Sequence, residues 1–304
     1  MYLKKNYLYK IDGTLQTLSK FFCNPFLPGY CKDYFANFLS NNKKKFPVSY
    51  VGPEINFDKN KFLRNGCIRL NLKEIAIKFA PYIEKFKQSS IGKSDIYHKE
   101  YFKNILRKDI CIETYNDFLS LGYNGPLVKF LSEIFGEMFF VNGGIYESPP
   151  FDKNFNRKGS QLWHIDQFSR YHLKLFINLD NVNENIGPTN VIPIEQTKKL
   201  LKYSFFRKIT RKSVSKETKA GLFINHNELK EIYQNNSLSN IGDIGTSLLA
   251  NTGLCLHQGS NNYSQNSRYI MLLHFCKWES YIGKQTDDIT LGIKTRFHHI
   301  QSNS

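Results

Sequence analysis

The chain has 304 residues, a formal net charge of +16, 41% hydrophobic residues and 15% aromatic ones. That length suits one large domain or two small ones with a sizeable core, and the apolar content excludes an intrinsically disordered chain. A basic balance admits nucleic acid, an anionic membrane or an acidic ligand as partner. Lysine is spread along the chain and no nucleic-acid motif appears. A solvated basic surface is therefore the plainer reading, an anionic small substrate or carrier the functional one, and nucleic acid is not expected.

The six cysteines (Cys23, Cys31, Cys67, Cys111, Cys255 and Cys276) are widely spaced and form no C-x-x-C pair. Met1 to Lys5 leads into polar residues and not into a signal-peptide core. No apolar run is long enough to span a bilayer. The expectation is a cytoplasmic protein with free thiols.

In chain order, residues 1–55 read as an N-terminal extension with short helices over Leu15 to Phe22 and Asp33 to Leu39. A loop at Asn24 to Gly29 separates them, and the polar run Ser40 to Lys45 follows. At Asn65-Gly66 a turn feeds the alternating run Cys67 to Leu70, which predicts a strand. Leu72 to Gln88 has helical apolar spacing, with a break or new start at Pro81. Pro126 to Phe135 is a second helix, stopped near Gly136. From Met138 the pattern changes to strands. The first, Phe139 to Val141, is expected to end at Asn142-Gly143-Gly144, with another over Ile145 to Ser148. After a polar loop come strands at Gln161 to Asp166, His172 to Leu179 and Thr189 to Ile194. The near-continuous apolar run of the second suits burial on both faces. Residues 195–242 form a long, lid-like insertion. Within it Lys198 to Lys219 carries nine Lys/Arg against one acid, and Asn227 to Gln234 has helical character. The insertion is expected to cover a site and meet an anionic group, the plainer alternative being a solvated basic helix pair. Strands follow at Leu248 to Ala250, Leu254 to His257 and Arg268 to Phe275. Residues 281–304 are a polar tail.

The chemistry concentrates at Gln161-Leu162-Trp163-His164-Ile165-Asp166. On a strand, His164 and Asp166 share one face because side chains alternate. An imidazole and a carboxylate so placed are two ligands of a 2-His-1-carboxylate facial triad, the arrangement that holds non-haem Fe(II) and leaves positions open. His257 is the candidate third ligand, on a distant strand. Eleven residues on, Arg268 opens an apolar strand and offers a forked cation to a carboxylate. A lone strand histidine is more often structural than a ligand, and a lone arginine more often a surface residue. The combination in this order is what carries the reading. Lys174, Phe176 and Asn178 share a strand face, and a lysine among apolar neighbours needs a partner such as a carboxylate. His98, His172, His226, His274, His298 and His299 have no such context and read as structural.

Trp163 to Asp166, Leu173 to Leu179, Glu184 to Pro188, His257 and Arg268 together resemble the phytanoyl-CoA dioxygenase family of Fe(II)- and 2-oxoglutarate-dependent oxygenases, over roughly Phe62 to Cys276. The resemblance implies a double-stranded β-helix (jelly-roll) core over residues 56–280 with N-terminal helices packed outside it. It implies Fe(II) on His164, Asp166 and His257, with 2-oxoglutarate and O2 as co-substrates. Arg268 would hold the far carboxylate of 2-oxoglutarate and Gln161 would donate to the same molecule. For Gln161, a bend would be required to turn its side chain to the face of His164. The reaction implied is hydroxylation of a C–H bond of a small organic substrate, an anionic one included, with release of succinate and CO2. Asp166 argues against halogenation, since the halide-transferring relatives lack this carboxylate. Two features depart from the family pattern: Ile194-Glu195-Gln196-Thr197 stands where a Gly-Ser-His-like turn is usual, and Ala250 where an acid is common. Both bear on substrate identity. The competing readings are a non-catalytic jelly-roll binding protein and an oxygenase acting on nucleic acid or protein.

Overall fold

A computed structural model describes residues 55, 57–89, 101–124, 126–136, 138–151, 159–166, 171–206, 222–224 and 237–277. The N-terminal extension to residue 54, the helix expected at 227–234, the C-terminal tail, and His98, His226, His298 and His299 lie outside them.

Helix α1 (Lys59–Asn65) starts where the Asp58 carboxylate accepts the Lys61 N–H at 2.9 Å, satisfying one of the free donors of a helix N-terminus. It ends at Gly66, whose φ of 70° closes the helix by donating to Phe62 O. The chain then enters β1 (Cys67–Asn71), as the Asn-Gly turn predicts. Helices α2 (Lys73–Phe79) and α3 (Pro81–Gln88) divide at Pro81, which sits in the first turn of the second. After the short β2 (Lys103–Asn104) come α4 (Ile112–Asn124) and α5 (Pro126–Phe135). The sequence reading passed over α4.

Two antiparallel sheets follow from the remaining strands: β3 (Met138–Ser148), β4 (Trp163–Ile165), β5 (His172–Asn178), β6 (Thr189–Val191), β7 (Leu222–Ile224), β8 (Leu238–Ser239), β9 (Thr246–Asn251), β10 (His257–Gly259) and β11 (Arg268–Lys277). The larger sheet has the order β1-β9-β5-β11-β3-β2, the smaller β7-β4-β10-β6-β8. This is the expected double-stranded β-helix. Between β6 and β7 the insertion begins as helix α6 (Ile194–Phe206), and β7 pairs with β4 as an edge of the smaller sheet. Part of the insertion is therefore built into the barrel wall. Lys208, Arg211 and Lys212 lie outside the described residues.

The main core lies between the helices and the outer face of the larger sheet. Leu173, Leu175 and Ile177 of β5, with Met271, Leu273 and Phe275 of β11, meet Phe62, Phe79, Tyr82 and Leu131 there. The alternate residues of the same strands face the smaller sheet. β5 reads as almost continuously apolar because both faces are covered. Among the described residues no helix is long and apolar enough to cross a membrane.

One strand boundary differs from expectation. β3 runs unbroken through Asn142-Gly143-Gly144, because the ladder to β11 holds the strand where the glycines would weaken it. The glycine at 143 answers to packing and not to a turn: a Cβ there would collide with the Leu272 carbonyl and approach the Phe118 ring to 2.9 Å. Gly143→Ala should destabilise the fold by about 1–3 kcal/mol through overpacking, read as a lower midpoint in urea unfolding. An unchanged midpoint would mean that the strand accommodates the methyl freely.

Candidate metal centre and its cavity

β4 and β10 are neighbours in the smaller sheet, and His164 and His257 are direct cross-strand partners. Their rings stand 4.0 Å apart between centroids. The residues beside them, Trp163, Ile165 and Leu256, point the other way into a small cluster with Ile192 and Leu200. This alternation is what aims both imidazoles inward. His164 Nδ1 lies 2.8 Å from Leu162 O, and His257 Nδ1 lies 3.2 Å from Cys255 O. A carbonyl only accepts, so each Nδ1 carries the proton and each Nε2 is left as the ligand nitrogen. His257 Nε2 is buried with no hydrogen-bond partner.

Asp166 follows β4 directly, and its N–H donates to Thr252 O at 2.9 Å. That bond keeps the chain extended one residue past the strand, so the alternation still brings the carboxylate beside His164. Asp166 Oδ1 is 3.9 Å from His164 Nε2, and Oδ2 is 3.5 Å from His257 Nε2. The ligand atoms of the three residues all lie within 4.8 Å of one another. Ligand bonds of roughly 2.0–2.2 Å let one ion join atoms about 4 Å apart. Two imidazole nitrogens and a carboxylate oxygen are the donor set of a facial triad, so the residues fit the metal that the sequence implies.

The partner that Lys174 requires is Asp166. Its Nζ approaches Oδ2 to 2.8 Å, with both side chains nearly buried, although Oδ2 has no bond of hydrogen-bond geometry. We read the contact as an ion pair, since charge attraction does not depend on the angle. Burial works against the Asp166 charge. The Lys174 ammonium and the imidazoles of His257, His172 and His164 outweigh it, holding the carboxyl well below its ordinary 3.8. Burial and the neighbouring His164 push His257 well below its ordinary range, which keeps it neutral and able to ligate.

Sequence reasoning left His172 and His274 as structural, yet both border the site. His172 Nε2 is 3.9 Å from Asp166 Oδ2, and the His172 and His274 rings stand 5.6 Å apart. The signal was present in the alternation. His172, Lys174, Phe176 and Asn178 share one face of β5, and β11 pairs His274 with Lys174 on that face.

Arg268 is the first residue of β11 and is 3% exposed. It donates through Nη1 to the Gly187 carbonyl, and its Nε has no partner. Burial lowers its pKa to about 10, with Asp180 opposing the shift. Asp180 is itself pushed up to about 6 by burial, although the Tyr269 N–H donates to it at 2.9 Å. Gln161 is not on a strand. It closes a 3-10 turn, Gly159–Gln161, and the tight turn supplies the bend that the strand geometry lacked. His164, His257, Lys174, Gln161 and Arg268 all line one cavity of about 470 Å³.

No family model and no curated protein matches the sequence. Among solved structures, EctD from S. alaskensis with bound Fe is 14% identical at a TM-score of 0.50, over 78% of this chain and 82% of that one. The chain shares its fold with EctD. The same protein with 2-oxoglutarate and 5-hydroxyectoine is 12% identical at 0.49, over 77% of this chain and 81% of that one. The epimerase SnoN with Fe3+, alpha ketoglutarate and nogalamycin RO is 10% identical at 0.47, over 72% and 81%. At these identities the likeness is one of fold. The chemistry of the site is set by its side chains.

In metal-free protein, Lys174→Met leaves a buried carboxylate without its cation and should cost about 3–5 kcal/mol at neutral pH, measured by urea unfolding in a chelator. Because Asp166 titrates lower folded than unfolded, its contribution is complete above pH 3.8 and is lost as the pH falls through the folded value. The difference between wild type and variant should therefore narrow in acid. Equal stabilities at neutral pH would show that the ion pair contributes nothing.

Proposed function

We propose that the protein is an Fe(II)- and 2-oxoglutarate-dependent oxygenase that hydroxylates a C–H bond of a small organic molecule. The observation that carries this is the convergence of the ligand atoms of His164, Asp166 and His257, with both histidines lining a cavity that the buried Arg268 also lines. The oxygenase unit is taken as residues 56–280, with 195–242 inserted in it.

When bound, Fe(II) with 2-oxoglutarate and O2 supplies the oxidising chemistry, in which 2-oxoglutarate is decarboxylated to succinate and CO2 as the substrate gains a hydroxyl group. The chain supplies binding, orientation and exclusion of water. His164 and His257 present neutral Nε2 atoms because their Nδ1 protons are committed to backbone carbonyls. This fixes the ring orientation before the metal arrives. Asp166 adds the one negative charge.

Arg268 suits the far carboxylate of 2-oxoglutarate. Its guanidinium is buried and its Nε is unspent, and a carboxylate can take two parallel bonds from such a fork. Lys174 gives up some of its hold on Asp166 when the carboxylate turns to a metal, and its ammonium then remains on the cavity wall as a second cation for an anionic co-substrate. Gln161, on the same wall, supplies an amide donor.

An anaerobic titration with Fe(II) and 2-oxoglutarate should give the visible charge-transfer band of the chelated co-substrate. His164→Ala should abolish the band. Arg268→Ala should raise the 2-oxoglutarate needed by about ten- to hundredfold, the worth of charge-assisted hydrogen bonds. Metal binding with no band in wild type would overturn the proposal.

A further inference from the structure

The cavity extends well beyond the metal residues, and its other half has a different chemistry. The inner face of β3 presents Asn142, Gly144, Tyr146 and Ser148, because these pair in register with His274, Leu272, Ile270 and Arg268 of β11. Tyr146 stacks on Phe102 with ring centroids 4.4 Å apart and planes 5° from parallel. Tyr115, Phe118 and Leu119 of α4, which pack with the core on the other face of β3, also border the cavity.

Among the described residues, none that β2, β3 or α4 contributes to the lining is charged. Among the described lining residues the cations are Lys174 of β5 and Arg268 of β11, and none is a carboxylate. An ionic group held against these elements would lose hydration and find no counter-charge on them among the described residues, which is unfavourable. A flat ring could pack against the aromatic side chains that line the cavity, Tyr146 and Phe102 among them.

Two amides interrupt the apolar wall, and they differ. Asn104 is spoken for: its Oδ1 accepts the Leu106 N–H at 3.1 Å. Its amide lies over Gly144, where a Cβ would come within 2.6 Å of Nδ2. Asn142 is half-buried on the cavity wall, and its side-chain amide forms no hydrogen bond with another described residue. An amide in such a wall is satisfied only by what enters the cavity.

Building on the proposed oxygenase reading, we infer that this half of the cavity is the substrate chamber and that it takes an uncharged, flat, unsaturated molecule. The substrate carries a carbonyl, amide or hydroxyl that pairs with Asn142. Where the net charge alone allowed an anionic substrate, the described cavity wall selects a neutral one.

The test uses the full chain with Ni(II) and 2-oxoglutarate present to fill the metal end, and four probes of similar size: 2-naphthamide, 2-naphthoate, 2-naphthylmethylammonium and decahydronaphthalene-2-carboxamide. Affinities are measured by ligand-observed NMR competition. Naphthamide should bind at least about tenfold tighter than either ion or the saturated amide, given the worth of one satisfied hydrogen bond and the cost of an unpaired charge. Asn142→Asp should shift the preference to the ammonium probe. Naphthoate binding as tightly as naphthamide, no binding of naphthamide, or an unchanged order in Asn142→Asp would each overturn the inference. The Fe(II) and 2-oxoglutarate band is an independent readout. A preference for naphthamide without the band upholds the chamber and removes the oxygenase reading. The band without the preference removes the chamber alone.

Discussion

The site depends on the pairing of β4 with β10. His164 and His257 lie 93 positions apart in sequence and become neighbours only because they are opposite partners in that ladder. Side chains on a strand alternate, so a slip of one residue would send one imidazole to the outer face and bring an apolar neighbour inward. The outward residues resist such a slip. Trp163, Ile165 and Leu256 fill a cluster with Ile192 and Leu200 on the far side of the small sheet. The packing of that cluster therefore fixes the register, and the register fixes the ligands. The two carbonyls that hold the Nδ1 protons come from Leu162 and Cys255, each two residues before its histidine. Tautomer and position thus derive from the same short segments.

Asp166 poses the harder physical problem, because a carboxylate in a nearly buried site needs compensation. Lys174 provides it across the gap between the two sheets. The ion pair joins the small sheet, through the end of β4, to the large sheet, through β5. It therefore couples the barrel's closure to the charge balance of the site. A divalent metal would take over the role of counter-ion and leave the ammonium available to an anionic ligand. One more cation than the carboxylate can neutralise would suit the proposed 2-oxoglutarate, which brings its own negative charge.

Much of this was legible in the sequence. The Asn-Gly turn into β1, the break at Pro81, the strands of the barrel and the convergence of His164, Asp166 and His257 all follow from local pattern and from the spacing of a few chemically distinctive residues. Local pattern failed where tertiary contacts decide. Gly143 and Gly144 look like a turn, yet lie inside an eleven-residue strand. Their absent side chains make room for the Leu272 carbonyl and the Asn104 amide, which no local signal reports. Gln161 reads as strand by its neighbours and is in a 3-10 turn. His172 and His274 had a readable signal, a polar residue at alternate positions of a buried strand, but each was judged singly. Set in register across β5 and β11, they belong with Lys174.

The two halves of the cavity obey different constraints. The metal end is set by charge: one carboxylate, two cations and neutral imidazoles, most of them buried. Such a group tolerates little substitution, because each charge is the compensation for another. The aromatic half is set by shape and the absence of charge, with the Asn142 amide as its polar exception. Side chains there can change without disturbing the ion pair, because none takes part in it. One fold can therefore keep a fixed charged centre while the rest of its cavity wall varies. The segment Ile194-Glu195-Gln196-Thr197 opens α6, whose Leu200 packs behind Trp163 and Ile165. That departure from the family pattern acts on the outer support of β4 and not on the chamber. On the inferred reading, the inner face of β3 is where a change of substrate should be sought.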